Sequence, residues 1–339
     1  MGRWKVVRKW GSRAVVIGLS AAVILGSMGW LWERSQHEAF LEAGFDPPGR
    51  MVSVGEQTLH VVTDGEGPPG VLLISGLGDG YGVWSEVQRR LAESTRVVSD
   101  DRPGLGWSPP RQGVLTLDAA VEDIAHLLAD PELFDGPPIL VGHSLGGQVA
   151  RRFAYAHPSD VSGLILLDPP PDEMPALLLK VEGVFHRVEA WLASIGFVRW
   201  RYYRAHQALS RDQRLRQAHF RASASIKREI VRELRGLESG ERFVPPERGL
   251  GALPLTLFLA NFDVPPPFSG AVTRMNEAKR LIPRESEDGR LIELLSQHYI
   301  QEEHPEAVIA EVLRMLSAVD SAMAAKTEAD PEGQTGGVP

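Results

Sequence analysis

The chain has 339 residues, 43% hydrophobic and 24% charged, with a formal net charge of -8 at pH 7 and no cysteine. Its apolar content supports a large core, and its length fits one α/β unit carrying an insertion. The acidic balance argues against the basic footprint of a nucleic-acid-binding protein, and the lack of cysteine excludes a disulfide framework, a thiol nucleophile and thiolate metal ligation.

Arg3, Lys5, Arg8, Lys9 and Arg13 precede an uncharged stretch from Ala14 to Trp32, about 19 residues long, with Trp30 and Trp32 at its far end. The flanking cations and terminal aromatics predict a single transmembrane signal anchor over 14–32. Residues 1–13 are then cytoplasmic and the rest of the chain is extracytoplasmic. The alternative is a cleaved signal peptide and a secreted product, for which Ser27-Met28-Gly29 is a poor small-x-small site.

A polar connector, 33–49, leads into a run of short strands. Met51–Val54 and Thr58–Val62 alternate around Gly55-Glu56-Gln57 and read as a hairpin. Gly70–Ile74, Arg96–Ser99, Pro138–Val141 and Gly163–Leu167 are apolar runs of the kind buried on both faces. Amphipathic helical patterns lie between them at Val83–Leu91 and Leu117–Leu128. Leu253–Ala260 and Arg290–Leu295 add two more strands. Strands alternating with helices predict a mostly parallel eight-stranded sheet, and chemistry is then expected in the loops beyond the strands' carboxyl ends.

Four such loops stand out. Ser75-Gly76-Leu77-Gly78-Asp79-Gly80 follows the third strand, Asp100-Asp101-Arg102-Pro103-Gly104-Leu105-Gly106 the fourth, Gly142-His143-Ser144-Leu145-Gly146-Gly147 the fifth and Asp168-Pro169-Pro170 the sixth. G-x-S-x-G between a buried strand and a helical pattern is a sharp turn that presents one hydroxyl, here Ser144, to a substrate. With the Gly76 to Trp84 spacing and a late His298 followed by His304-Pro305-Glu306, the chain resembles the α/β-hydrolase superfamily over roughly residues 50 to 320.

The resemblance implies an α/β-hydrolase fold with a core of 50–170 and 250–320 and a helical cap over 171–249, where arginines alternate with apolar residues at helical spacing. The arginines, Arg199 among them, read as a solvated outer face, and a tail over 321–339 reads as disordered. The superfamily's order of nucleophile, acid and histidine assigns Ser144, Asp263 and His298. Asp168 is the alternative acid and His304 the competing base. An oxyanion hole from the backbone N–H groups of Leu77 and Leu145 is implied, although Ser75 stands where the superfamily commonly has His. Arg102 is expected to buttress loops and Asp79 to form a turn.

The implied activity is cleavage of a carboxylic ester or related acyl bond of a small, apolar substrate through an acyl-enzyme on Ser144, with no metal or organic cofactor. A cofactor-free perhydrolase, haloperoxidase or C–C hydrolase would use the same triad, and a catalytically silent binding scaffold is the reading from another class. Serine at the nucleophile position argues against the dehalogenase and epoxide hydrolase branches, which use a carboxylate there.

Overall fold

A computed structural model describes residues 2–113, 115–172, 176–239, 243–262 and 269–329. Among the described residues there are eight strands: β1 (Arg50–Val54), β2 (Gln57–Asp64), β3 (Val71–Ile74), β4 (Val97–Asp101), β5 (Ile139–His143), β6 (Gly163–Leu167), β7 (Leu255–Ala260) and β8 (Gly289–Leu294). They form one sheet in the order β1-β2-β4-β3-β5-β6-β7-β8. β2 is antiparallel to β1 and β4, and the remaining pairs are parallel. The helices are α1 (Gly2–Glu42), α2 (Ser85–Leu91), α3 (Leu117–Leu128), α4 (Leu145–Ala156), α5 (Ala176–Ser194), α6 (Phe197–Ala205), α7 (Arg211–Ala222), α8 (Ala224–Ser239), α9 (Ser269–Lys279), α10 (Ile300–Glu303) and α11 (Pro305–Ala329).

The central strands lack a polar face because both of their faces are covered. Leu72, Ile74, Leu140, Leu164, Leu166 and Leu257 pack with Val121 and Ile124 of α3 and Val149 and Phe153 of α4. Their alternate neighbours Val71, Leu73, Val141, Ile165, Leu167 and Phe258 pack with Val87 and Leu91 of α2 and Val308, Val312 and Met315 of α11. A period of two, apolar on both phases, is what a doubly covered parallel sheet requires.

Register then fixes the site. Ile74 lies opposite Gly142, and His143 opposite Leu167, so the chain leaves β3, β5 and β6 at neighbouring points on one edge. The strand order reverses at β3, which is where open α/β sheets bind ligands.

The chain divides into two compact units. One comprises Met1–Asp46 with Lys180–Val231, and the other Pro47–Leu179 with Arg232–Pro339. Among the described residues no helix is long and apolar enough to cross a membrane. This corrects the expectation of a transmembrane anchor over 14–32, and with it the extracytoplasmic placement of the rest of the chain.

The helix itself forms, but it runs on through the charged Glu33 and Arg34 to Glu42, and its later turns are built into the first unit. Gly29 faces the backbone of Ile195, where a Cβ would lie 3.0 Å from the carbonyl carbon. Trp32 meets Tyr203 edge-on, with ring centroids 5.9 Å apart. Glu33 accepts from Arg199 Nε at 2.7 Å and from the Ala224 N–H at 3.0 Å.

Arg199 is fully buried, so it leaves the solvated arginine face expected of this segment. The stretch 33–49, read as a connector, is thus helical over its first ten residues or so. At the other end α11 continues to Ala329, into the segment read as a tail, where alanines favour helix. Replacing Glu33 by Ala leaves the buried guanidinium uncompensated and should destabilise the first unit by about 3–5 kcal/mol. Urea denaturation of the full chain checks this, and a loss below about 1 kcal/mol would contradict it.

Candidate active site

Ser144 has φ 51° and ψ -118°, a backbone conformation that L-residues avoid. It is over-determined by its neighbours. The Ser144 N–H donates to Leu167 O at 2.9 Å, and the Gly147 N–H donates to Ser144 O at 2.9 Å. Both glycines of the motif are sterically required. A Cβ on Gly142 would lie 2.6 Å from the Gly146 carbonyl carbon, and one on Gly146 would run into Ile74 O and sit 2.6 Å from Ser75 O. The turn therefore wedges α4, whose N-terminus is at Leu145, against the ends of β3 and β5.

Asp168 is the other described non-glycine residue with positive φ, at 45°. Its N–H donates to Phe258 O at 2.8 Å, and its side chain is buried. Asp168 Oδ2 lies 2.7 Å from His298 Nδ1, which donates to it. Oδ1 accepts from Lys279 Nζ at 2.6 Å. Burial pushes the Asp168 carboxyl up, but the His298 hydrogen bond and then the Lys279 charge outweigh it and hold the group below its ordinary value.

His298 lies between β8 and α10 and is joined to the serine turn through His143. His143 Nε2 donates to His298 O at 3.0 Å, and the two rings are 4.7 Å apart. That geometry puts the histidine beside the residue preceding Ser144. His304 is turned elsewhere, with its Nε2 on Leu295 O at 3.2 Å. Asp263 lies outside the described residues.

The loop after β3 carries Leu77. Ser75 Oγ accepts from Trp84 Nε1 at 3.0 Å and donates to Gly80 O at 3.1 Å, so a serine supplies local support where the superfamily commonly has His. Arg102 donates through Nη1 to Ser75 O at 2.6 Å and through Nη2 to Gly76 O at 2.5 Å. Glu233, on α8, accepts from Arg102 Nε at 2.7 Å and from the Gly78 N–H at 2.8 Å. Arg102 and Glu233 are both buried. The two carbonyls before Leu77 and the amide after it are thereby tied down, which restricts the direction of its N–H. Asp79 makes the expected turn, its N–H donating to Gly76 O at 3.1 Å, and its carboxylate accepts from the Tyr299 hydroxyl at 3.3 Å.

Sequence reading missed Lys279 and Glu233. Both lie at helical positions among other charged residues, and nothing in the local pattern distinguishes an inward cation or carboxylate from a solvated one. It also gave His143 no role, although a histidine directly before the serine was visible.

Burial, and next the charge of His298, push His143 down to about 3 from 6.5. The unfolded chain therefore takes up a proton below pH 6.5 that the folded chain refuses, so stability falls as pH drops from 6.5 towards 3. Between pH 6.5 and 4.5 wild type should lose about 2 kcal/mol more than a His143→Gln variant. Urea denaturation at both pH values measures the difference, and equal losses would contradict a neutral, buried His143.

The alpha/beta hydrolase family model matches residues 71–311. Lipase LipV of Mycobacterium tuberculosis is 39% identical over 137 residues, 40% of this chain and 49% of that protein. Human monoacylglycerol lipase ABHD6 is 34% identical over 102 residues, 30% of each chain. The chain thus aligns with half or less of the length of these relatives. Among solved structures, a putative lipase from Acinetobacter baumannii superposes with a TM-score of 0.62 at 19% identity, covering 88% of this chain and 97% of that one. An esterase from Thermogutta terrifontis superposes with a TM-score of 0.58 at 24% identity, covering 80% and 99%. With the family match spanning most of the chain and an eight-stranded sheet of the same architecture, this protein belongs to the alpha/beta hydrolase family.

Proposed function

We propose that the chain is a serine hydrolase that cleaves a carboxylic ester, or a related acyl bond, through an acyl-enzyme on Ser144. The observation that carries this reading is the 2.7 Å hydrogen bond between His298 and Asp168 beside the strained serine turn. His298 Nε2 takes the Ser144 hydroxyl proton as Oγ bonds to the substrate carbonyl carbon. The carbonyl oxygen becomes an oxyanion facing the N–H groups of Leu77 and Leu145. His298 then gives that proton to the departing alcohol. In the second half water is deprotonated by His298, attacks the acyl carbon and releases the acid, restoring Ser144.

Asp168, in place of Asp263, holds the Nδ1–H tautomer and balances the imidazolium. The likeness to LipV and to a monoacylglycerol lipase supports a small ester with an apolar acyl group as substrate. No step calls for a metal or organic cofactor.

A fluorophosphonate probe and short-chain p-nitrophenyl esters test the assignment. Wild type should be labelled on Ser144, and Ser144→Ala should lose labelling and nearly all turnover. Asp168→Asn should lower kcat by about a thousandfold or more, whereas Asp263→Asn should stay within about threefold of wild type. Unlabelled, folded wild type would sink the hydrolase reading. A large loss in Asp263→Asn with little in Asp168→Asn would return the acid to Asp263.

A further inference from the structure

Asp168 has two carboxylate oxygens, and each meets a different nitrogen: Oδ2 the imidazole of His298, and Oδ1 the ammonium of Lys279. Asp168 is 3% exposed and Lys279 6%. A lysine stem loses rotamer freedom when ordered, and a buried ammonium loses its hydration. Such a group stays inside only where a fixed anion receives it. The next residue shows the contrast, since Arg280 turns outward to the surface carboxylate of Glu293 at 2.7 Å. Lys279 is the last residue of α9, so the chain delivers one cation inward and the next outward.

We propose that Lys279 is a positioning residue of the catalytic machinery, acting through Asp168 to hold that carboxylate ionised and aimed at His298 and so to set the pH at which the pair becomes an active base. The inference rests on the reading of Ser144, His298 and Asp168 given above. With Lys279 in place, the carboxylate is already neutralised by one cation, and an imidazolium beside it adds a second positive charge to the cluster. Loss of the ammonium leaves a buried carboxylate whose remaining cationic partner is protonated His298. The coupled pair then keeps its proton to higher pH.

Other ionisable groups near the pair stay unchanged in that comparison. His143 lies against the His298 ring, Tyr299 lies against both histidine rings, and Asp79 lies 3.9 Å from His143 Nδ1. Arg102, whose charge His143 also senses, is ion-paired to Glu233.

The test is the pH profile of kcat/KM on a p-nitrophenyl ester, together with the rate of fluorophosphonate labelling against pH. Lys279→Met and Lys279→Gln should move the acid limb of both profiles to higher pH by half a unit or more and lower the plateau. Lys279→Arg, which keeps the charge, should restore the wild-type limb. A neutral variant that folds, as judged by its thermal melt, and whose acid limb coincides with wild type would overturn the inference, even if its plateau or stability falls, because a packing role predicts that result.

Should neither neutral variant fold, the carboxyl carbon resonance of Asp168 in wild type decides. A carboxylate that stays ionised from pH 8 down to pH 5 supports the inference, and one that titrates in that interval overturns it. Wild type that is itself unlabelled at Ser144 defeats the parent reading instead, so the two failures are distinguishable.

Discussion

The site depends on one backbone constraint: Ser144 sits at φ 51° between a strand and a helix that approach too closely for any Cβ at Gly142 or Gly146. Such a conformation costs on the order of 1–3 kcal/mol and persists only where its surroundings hold it. Here the surroundings are the doubly covered sheet, whose parallel register brings the ends of β3, β5 and β6 into line. The same packing that buries Leu72, Leu140 and Leu164 thus aligns Leu77, Ser144 and Asp168 along one edge.

Around that turn lies a layer of buried charge. Arg102 and Glu233 bind both carbonyls before Leu77 and the amide after it. Asp101 accepts from His60 at 2.8 Å and from the N–H groups of Tyr81 and Trp107 at 2.8 and 2.9 Å, bracing the next loop. Lys279 and His298 share the two oxygens of Asp168. Buried ion pairs of this sort add little net stability, because desolvation offsets attraction. Their effect is geometric: each fixes a loop that would otherwise have many conformations, and the proposed mechanism demands fixed donors on one of those loops.

The fold was largely legible in the sequence, and for a physical reason. Most of the described strands contain apolar or alternating runs, several with a Gly or Pro at one end, and α3 spans the stretch its periodicity predicts. The serine turn was equally visible because glycines at fixed spacing are a steric necessity. Long-range partnership was not. Both aspartates at strand ends, Asp168 and Asp263, satisfied the expected chain order, and local pattern could not say which one His298 would meet. The first uncharged segment was misread because Gly29 and Trp32, with the charged Glu33 just beyond, look like the end of a membrane span until Ile195, Tyr203 and Arg199 are seen against them.

The chemistry proposed for the site requires the strained serine, the two backbone donors and the His298–Asp168 pair to converge on one acyl group. A crystal structure of the fluorophosphonate adduct tests that convergence most directly. The account predicts phosphorus bonded to Ser144 Oγ, the phosphoryl oxygen within about 3 Å of the N–H groups of Leu77 and Leu145, and the Asp168 hydrogen bond to His298 retained. An adduct on another residue, a phosphoryl oxygen turned away from both donors, or His298 paired with Asp263 would contradict it.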